Sequence, residues 1–208
     1  MRQPFRSEFV AWGSRSIFGV LFLVTAGQMV RTMVGELSGW DAVVGIVLMA
    51  TPLALCFVAL DILIEAIEQH WMAHHLTRGL SAWLRWTPRV GVLLFAIFMS
   101  AFALDVFGMS SNPWEVALGL LMHLLPTFLV LALLAVAWRW PWVGGVALLA
   151  AALLFLWQWG GNWGGDWLLY LVVVGTPALM GLLFLANGWL RRELTNGKAQ
   201  PALHHSPM

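Results

Sequence analysis

The chain has 208 residues, of which 61% are hydrophobic and 10% are charged, and its mean hydropathy is +0.82. Soluble domains average about 45–50% apolar and about 25% charged residues, and one core in a chain of this length cannot bury such an apolar excess. The composition therefore excludes an ordinary soluble enzyme and a nucleic-acid-binding module. Because Cys56 is the single cysteine, a disulfide scaffold is excluded as well.

Six apolar segments each approach the roughly 20 residues that a helix needs to cross a ~30 Å hydrocarbon core. Their apolar runs are continuous rather than alternating, which favours α-helices over a β-barrel. We therefore predict an all-α, polytopic integral membrane helical bundle with three hairpins. The predicted spans are residues 16–33, 40–64, 89–108, 114–138, 142–159 and 167–189.

The spans predict two structured units and a tail. Residues 1–85 form an N-terminal hairpin and a cytoplasmic amphipathic connector through Leu76, Leu80 and Leu84, which lies on the membrane surface. Residues 86–192 form a four-helix transmembrane domain, and residues 193–208 form a disordered cytoplasmic tail. The first span also has features of a signal peptide, since Arg15 precedes a short apolar stretch and a small-residue site, so its cleavage is an open alternative.

The basic residues predict the orientation. With the N-terminus in the cytoplasm, ten of the eleven Lys and Arg residues lie inside and only Arg31 lies outside. This bias follows the positive-inside rule, and it predicts an inner-membrane protein with both termini in the cytoplasm. The fourteen tryptophans cluster at the ends of the spans, as indoles do at membrane interfaces.

A weak internal repeat appears when the sequence is shifted by 74 residues, because Arg15 then meets Arg89, Trp40 meets Trp114 and Pro52 meets Pro126. The last hairpin repeats the theme loosely through Pro177. Each proline frees the backbone carbonyl four residues earlier, which a neighbouring group must satisfy in lipid. The threonines beside the three prolines are candidates for this role: Thr51, Thr127 and Thr176.

Four short motifs carry a family resemblance. They are the segments 103–107 (ALDVF), 122–127 (MHLLPT), 137–140 (AWRW) and 142–145 (WVGG). In order and spacing they resemble a family of small prokaryotic four-span membrane proteins without an assigned activity, over about residues 86–192. The resemblance implies a four-helix architecture and no chemistry. It marks Asp105, His123 and Arg139 as the polar positions to weigh.

Ionisable residues inside a membrane are costly, so each is a functional candidate. His123 lies nine residues after Trp114, or about 13 Å below the outer interface at ~1.5 Å per residue. We expect a structural histidine that bonds to a carbonyl freed by a proline or to a threonine, and a proton relay or ligand site with Thr127 is the functional alternative. Asp105 and Arg31 have opposite charge and equal depth under the repeat. They are predicted to form an ion pair, with unpaired interfacial charges as the alternative.

The second span continues into a polar helix that is a weak metal-site candidate. Helical spacing puts Asp61, Glu65, Glu68 and His75 along one face, and His70 and His74 form an i, i+4 pair on another. Carboxylates and imidazoles at such spacing bind zinc or a di-metal centre. Because this segment emerges into cytoplasmic water, a solvated surface is the alternative.

These observations predict an uncharacterised multi-pass membrane protein that acts as a non-catalytic structural or accessory subunit. A small proton- or solute-coupled transporter using His123 and Asp105 is the first alternative. A membrane-embedded metal-dependent enzyme using the face from Asp61 to His75 is the second. No cofactor is expected. The expected partners are the lipid bilayer and other membrane subunits or a second copy, and no nucleic acid.

Overall fold

The computed structural model describes residues 5–37, 39–73, 76–108, 112–159 and 167–190. These residues form helices, and six of the helices are long and apolar enough to cross a membrane. The prediction of an all-α membrane bundle is confirmed to that extent. The helices are α1 (Phe5–Glu36), α2 (Trp40–Ala73), α3 (Arg78–Ala101), α4 (Pro113–Arg139), α5 (Pro141–Trp159) and α6 (Trp167–Trp189).

Two of the helices have a non-α part. The chain continues from α3 as a 3₁₀ turn over Phe102–Gly108. Within α6, the segment Leu171–Gly175 is π-helical and immediately precedes the α-helical Thr176–Trp189. Pro177 lies at the start of this second α-helical part, and a proline cannot donate the next helical hydrogen bond. The helix therefore changes its hydrogen-bond pattern just before its proline.

Local signals in the sequence set the helix boundaries. The Thr77 hydroxyl accepts from the Leu80 backbone N–H at the start of α3. At the start of α4, the Asn112 side chain accepts from the Trp114 N–H at 3.1 Å, and a proline occupies the first helical turn. Both arrangements satisfy N–H groups that a helix start leaves without a partner. Gly39, with φ of 60°, adopts the left-handed backbone that lets α1 turn back into α2.

The region between the second and third predicted spans differs from the predicted surface connector. Helix α2 continues to Ala73, and α3 begins at Arg78 rather than at residue 89. Leu80 and Leu84 belong to α3, and together with Leu76 they are buried in the core of the bundle. The apolar stripe of this segment therefore faces other helices rather than a membrane surface. The predicted tail at 193–208 lies outside the described residues.

The helices pack as three antiparallel hairpins, α1 with α2, α3 with α4, and α5 with α6. The last four helices close a ring, since α3 also packs against α6 and α4 against α5. Helix α2 lies against α3 and α6, and α1 packs chiefly on α2. Consequently α1 is the peripheral helix. In its most apolar stretch, 11% of the residues are buried, compared with 44% in the corresponding stretches of α3 and α6.

Two glycines bring the backbones of α5 and α6 into close contact. A Cβ atom on Gly145 would lie 2.8 Å from the Gly181 carbonyl oxygen, and a Cβ atom on Gly181 would lie 2.9 Å from the Gly145 carbonyl oxygen. Backbone therefore approaches backbone, as small residues allow between membrane helices. Phe184 and Met180 fill the core beside this contact and are fully buried.

Candidate functional site

An ion-pair cluster ties the N-terminal half of α1 to the C-terminal half of α2. The Arg15 guanidinium donates to the Glu65 carboxylate at 2.7 Å and lies 3.6 Å from the Asp61 carboxylate. Asp61 and Glu65 are one helical turn apart on α2, so one guanidinium neutralises both. The Arg15 side chain is 53% exposed, and the carboxylate side chains are 28% and 23% exposed. Sequence reasoning counted Arg15 for orientation and missed this contact.

The same cluster extends toward the start of α3. The Gln69 amide donates to Glu65 at 3.2 Å, and its carbonyl oxygen accepts from the Thr77 backbone N–H at 2.9 Å. A cavity of about 430 Å³ opens beside the cluster and is lined by Arg15, both carboxylates, Thr77 and Trp83 among others. These hydrogen bonds connect α1, α2 and α3, so the polar side chains at this end bind helices to one another.

The predicted metal ligands are not gathered into a site in the described part of the chain, where no three His, Cys, Asp or Glu side chains lie close enough to hold an ion. Glu65 is paired with Arg15, and the His70 ring packs edge-on against the Trp189 ring with centroids 4.6 Å apart. His74 and His75 lie outside the described residues. One carboxylate oxygen of Glu68 is buried without a hydrogen-bond partner there.

His123 bonds within its own helix. Its Nδ1 atom lies 2.9 Å from the Gly119 carbonyl oxygen, and the side chain is exposed at the bundle surface. The i, i+4, i+7 spacing places it on one stripe of α4 with Thr127 and Val130, which are both buried. The Thr127 hydroxyl has no hydrogen-bond partner in the structure as described. His123 therefore lies where the buried stripe of α4 reaches the surface.

The predicted Arg31–Asp105 ion pair is not formed between these two described residues. Asp105 is exposed on the 3₁₀ turn, which packs against α3 and α4. Arg31 is on α1 and lines a cavity between α1, α2 and α6. Equal depth in the membrane did not make them neighbours, because the helices that carry them do not pack closely together. The structure therefore does not gather Arg31, Asp105, His123 and Thr127 into one site.

The Arg31 cavity has a volume of about 360 Å³ and two chemically different parts. Three polar residues of α1 line it together, one guanidinium, one amide and one hydroxyl: Gln28, Arg31 and Thr32. Methionine, leucine and valine side chains form most of the remaining wall, with Trp167 from the start of α6. The cavity was not predicted from the sequence, because its walls come from helices more than 100 residues apart.

Buried polar groups elsewhere also tie helices together. The Thr176 hydroxyl of α6 donates to the Pro52 carbonyl of α2 at 3.3 Å. The Cys56 thiol lies 3.3 Å from that hydroxyl and 3.5 Å from the Leu171 carbonyl in the π-helical segment. On the α3–α6 side, the Asn187 amide donates to the Leu84 carbonyl at 3.4 Å. Thr176 thus bonds across helices rather than to the carbonyl that its own neighbouring proline frees.

Arg89, the repeat counterpart of Arg15, has different partners. It donates to the Arg85 carbonyl, and its guanidinium carbon lies 5.4 Å from the Trp138 ring centroid and 5.9 Å from that of Phe184. Both distances suit a cation–π contact. The second hairpin has Ala135 and Arg139 where the first has Asp61 and Glu65, so aromatic rings replace the carboxylates.

A comparison with known families matches residues 77–196 to a domain of unknown function, DUF7670. The match covers more than half of the chain. The chain belongs to the DUF7670 family. Searches of the curated proteins and of the solved structures gave no significant match.

In the structure the DUF7670 region contains α3 to α6, which form the closed ring of four helices. The predicted resemblance to an uncharacterised family is confirmed, and its boundary moves from residue 86 to residue 77. The earlier start agrees with Thr77 being the N-cap of α3. Helices α1 and α2, with the Arg15 cluster, precede the matched region.

Proposed function

We propose that the chain is a non-catalytic structural or accessory subunit of a prokaryotic inner membrane, with both termini in the cytoplasm. The charge distribution supports the orientation, since ten of the eleven basic residues fall on one side. Exposed tryptophans at both ends of the spans support the membrane placement, among them Trp40 and Trp114 on one side and Trp83 and Trp142 on the other. The bilayer is its solvent, and another membrane subunit or a second copy is its protein partner.

The proposal rests on the observation that polar side chains of the bundle bond one helix to another. Arg15 joins α1 to α2, Thr176 joins α6 to α2, and Asn187 joins α6 to α3. Interhelical hydrogen bonds of this kind stabilise membrane bundles. A scaffold needs such contacts, whereas a catalytic centre or a transport path needs polar groups that are free to meet a substrate.

The peripheral position of α1 supports the proposal that a partner helix binds this helix. Ile17, Val20 and Val24 lie on one face of α1 and are 62%, 60% and 56% exposed. Their i, i+3, i+7 spacing is the repeat that one helix presents to another. We therefore assign the partner contact to this face of α1.

Site-specific photo-crosslinking in cells tests the proposal. A photoreactive phenylalanine analogue is placed singly at residues 13 to 24 of α1, and at Leu153 of α5 as the matched exposed control. A protein partner at this face gives one adduct of constant mass at residues 17, 20 and 24, and none at Leu153. Equal adducts at every position, or none at all, would contradict an accessory role through α1.

A transport function through His123 makes a different prediction, which purified protein in liposomes can test. A carrier would show a proton or solute flux that His123→Leu abolishes. We expect the same leak from wild type, from His123→Leu and from empty liposomes, because His123 bonds to Gly119 of its own helix. A flux that depends on His123 would replace the accessory proposal with the transporter.

A further inference from the structure

We infer that the cavity between α1, α2 and α6 binds one anionic phospholipid from the membrane leaflet at the α1–α2 turn. The cavity has a charged end and an apolar wall. A phospholipid has the same two parts, a charged headgroup and apolar acyl chains. This inference goes beyond the accessory role and does not depend on it. It depends on the helices lying in a membrane.

The charge at the cavity favours an anion. Among the described residues that line the cavity, Arg31 is the one charged residue, and none of them is a carboxylate. In the described structure the Arg31 side chain forms no ion pair and no hydrogen bond, so its guanidinium keeps its donors for a ligand. A guanidinium binds phosphate oxygens through paired hydrogen bonds.

The depth of Arg31 suits a headgroup rather than an acyl chain. It lies five residues before the end of α1 at Glu36, which is about 8 Å along the helix. Trp167, the first residue of α6, marks the membrane interface at the same end of the bundle. The phosphate of a phospholipid lies in this interfacial zone, so Arg31 meets it without leaving the helix.

The walls of the cavity suit the acyl chain. Met49 and Leu53 on α2 lie nine and thirteen residues after Trp40, or about 14 and 20 Å deeper along that helix. Met29 and Met33 of α1 line the cavity from the facing side. Methionine side chains adapt their shape to flexible apolar partners. A chain that enters below the phosphate can therefore follow these residues toward the bilayer centre.

Native mass spectrometry of the full-length protein in detergent tests the inference. The probes are phosphatidylglycerol, which is anionic, and phosphatidylethanolamine, which is zwitterionic, titrated at equal acyl composition. We expect one phosphatidylglycerol to bind at least about fivefold more tightly than phosphatidylethanolamine. Arg31→Gln should weaken that binding about tenfold, the effect of one lost charge-assisted contact. Arg31→Lys should keep part of the affinity, because an ammonium still attracts the phosphate but cannot bind it in bidentate fashion.

Two further variants separate the cavity from general charge effects. Arg139→Gln removes the same charge from an exposed position at the far end of α4 and should leave lipid binding unchanged. Thr32→Trp fills the cavity while it keeps Arg31, and it should also weaken phosphatidylglycerol binding. Each variant is first shown by circular dichroism and gel filtration to be folded, so that loss of binding reports the site.

Several results would overturn the inference. Equal affinity for the two lipids, or equal weakening by Arg31→Gln and Arg139→Gln, would show that the cavity does not select an anionic headgroup. Displacement of the lipid by millimolar inorganic phosphate would assign the site to a free anion instead. Because these titrations use purified protein, their outcome is independent of whether the photo-crosslinks on α1 appear.

Discussion

Removing the Arg15 guanidinium should loosen α1 without unfolding the four-helix ring. Arg15 contacts Glu65 at 2.7 Å and Asp61 at 3.6 Å, and α1 packs chiefly on α2, so this cluster is the main polar contact that docks the helix. The variant is Arg15→Gln, which keeps a long polar side chain and removes the charge. Arg139→Gln is the matched control, since Arg139 is also exposed but takes no part in an ion pair of the described structure.

The expected magnitude follows from the exposure of the groups. Fully exposed ion pairs contribute about 0.2–1 kcal/mol, and hydrogen bonds to charged groups contribute about 1.5–3 kcal/mol when shielded. Arg15 is 53% exposed and Glu65 is 23% exposed, so a value near 1 kcal/mol is expected for the pair. The substitution also leaves Asp61 and Glu65 as like charges one turn apart, which costs about 0.2–0.5 kcal/mol more. The total is about 1.2–1.5 kcal/mol.

Hydrogen exchange measured on separate peptides reports this loss of stability for each helix. A change of 1.4 kcal/mol is tenfold in an equilibrium, so α1 amides should exchange about tenfold faster in Arg15→Gln while α3 amides do not change. High salt should reduce the difference, because the Debye length falls from about 8 Å at 0.15 M to about 3 Å at 1 M. Equal exchange in wild type and variant, or the same acceleration in Arg139→Gln, would refute the assignment.

Two other substitutions test the contacts that hold the helices together. Gly145→Ala should destabilise the bundle by about 1–3 kcal/mol, since the new Cβ would lie 2.8 Å from a backbone carbonyl of α6. Gly79→Ala, which has open space around its Cβ, should be neutral or slightly stabilising in the same detergent unfolding titration. Thr176→Val should cost about 1 kcal/mol by removing the hydrogen bond to Pro52, whereas Thr51→Val, whose hydroxyl bonds within its own helix, should cost less. Equal losses within either pair would contradict the contacts.

The sequence predicts the spans well because a segment that crosses lipid must be apolar, and hydropathy measures this property directly. The starts of the second and sixth spans, at Trp40 and Trp167, agree with the helices, and Asn112 with Pro113 gives the recognisable start of α4. Helix ends in water are decided instead by backbone hydrogen bonds and caps. For this reason α2 extends to Ala73, beyond the predicted apolar span that ends at residue 64, as the helical spacing of Glu65 and Glu68 had indicated.

The ion pair between Arg15 and Glu65 could have been predicted from the register of the first hairpin. Arg15 lies 25 residues before Trp40 and Glu65 lies 25 residues after it, so an antiparallel hairpin brings them together by register. That symmetry was available in the sequence. The predicted Arg31–Asp105 pair relied on equal depth in two different hairpins, and depth alone does not specify which helices pack. The Arg31 cavity depends on the same packing of distant helices, so the sequence could not reveal it.

Cysteine labelling of intact cells tests the membrane topology on which the account depends. Glu115→Cys lies in the first turn of α4, and Trp140→Cys lies between α4 and α5, so one membrane span separates the two exposed positions. The native Cys56 is fully buried and stays in place. A membrane-impermeant maleimide should label Glu115→Cys in intact cells, and it should label Trp140→Cys only after the cells are lysed. Labelling of Trp140→Cys in intact cells, or recovery of the protein in a detergent-free high-speed supernatant, would contradict the account.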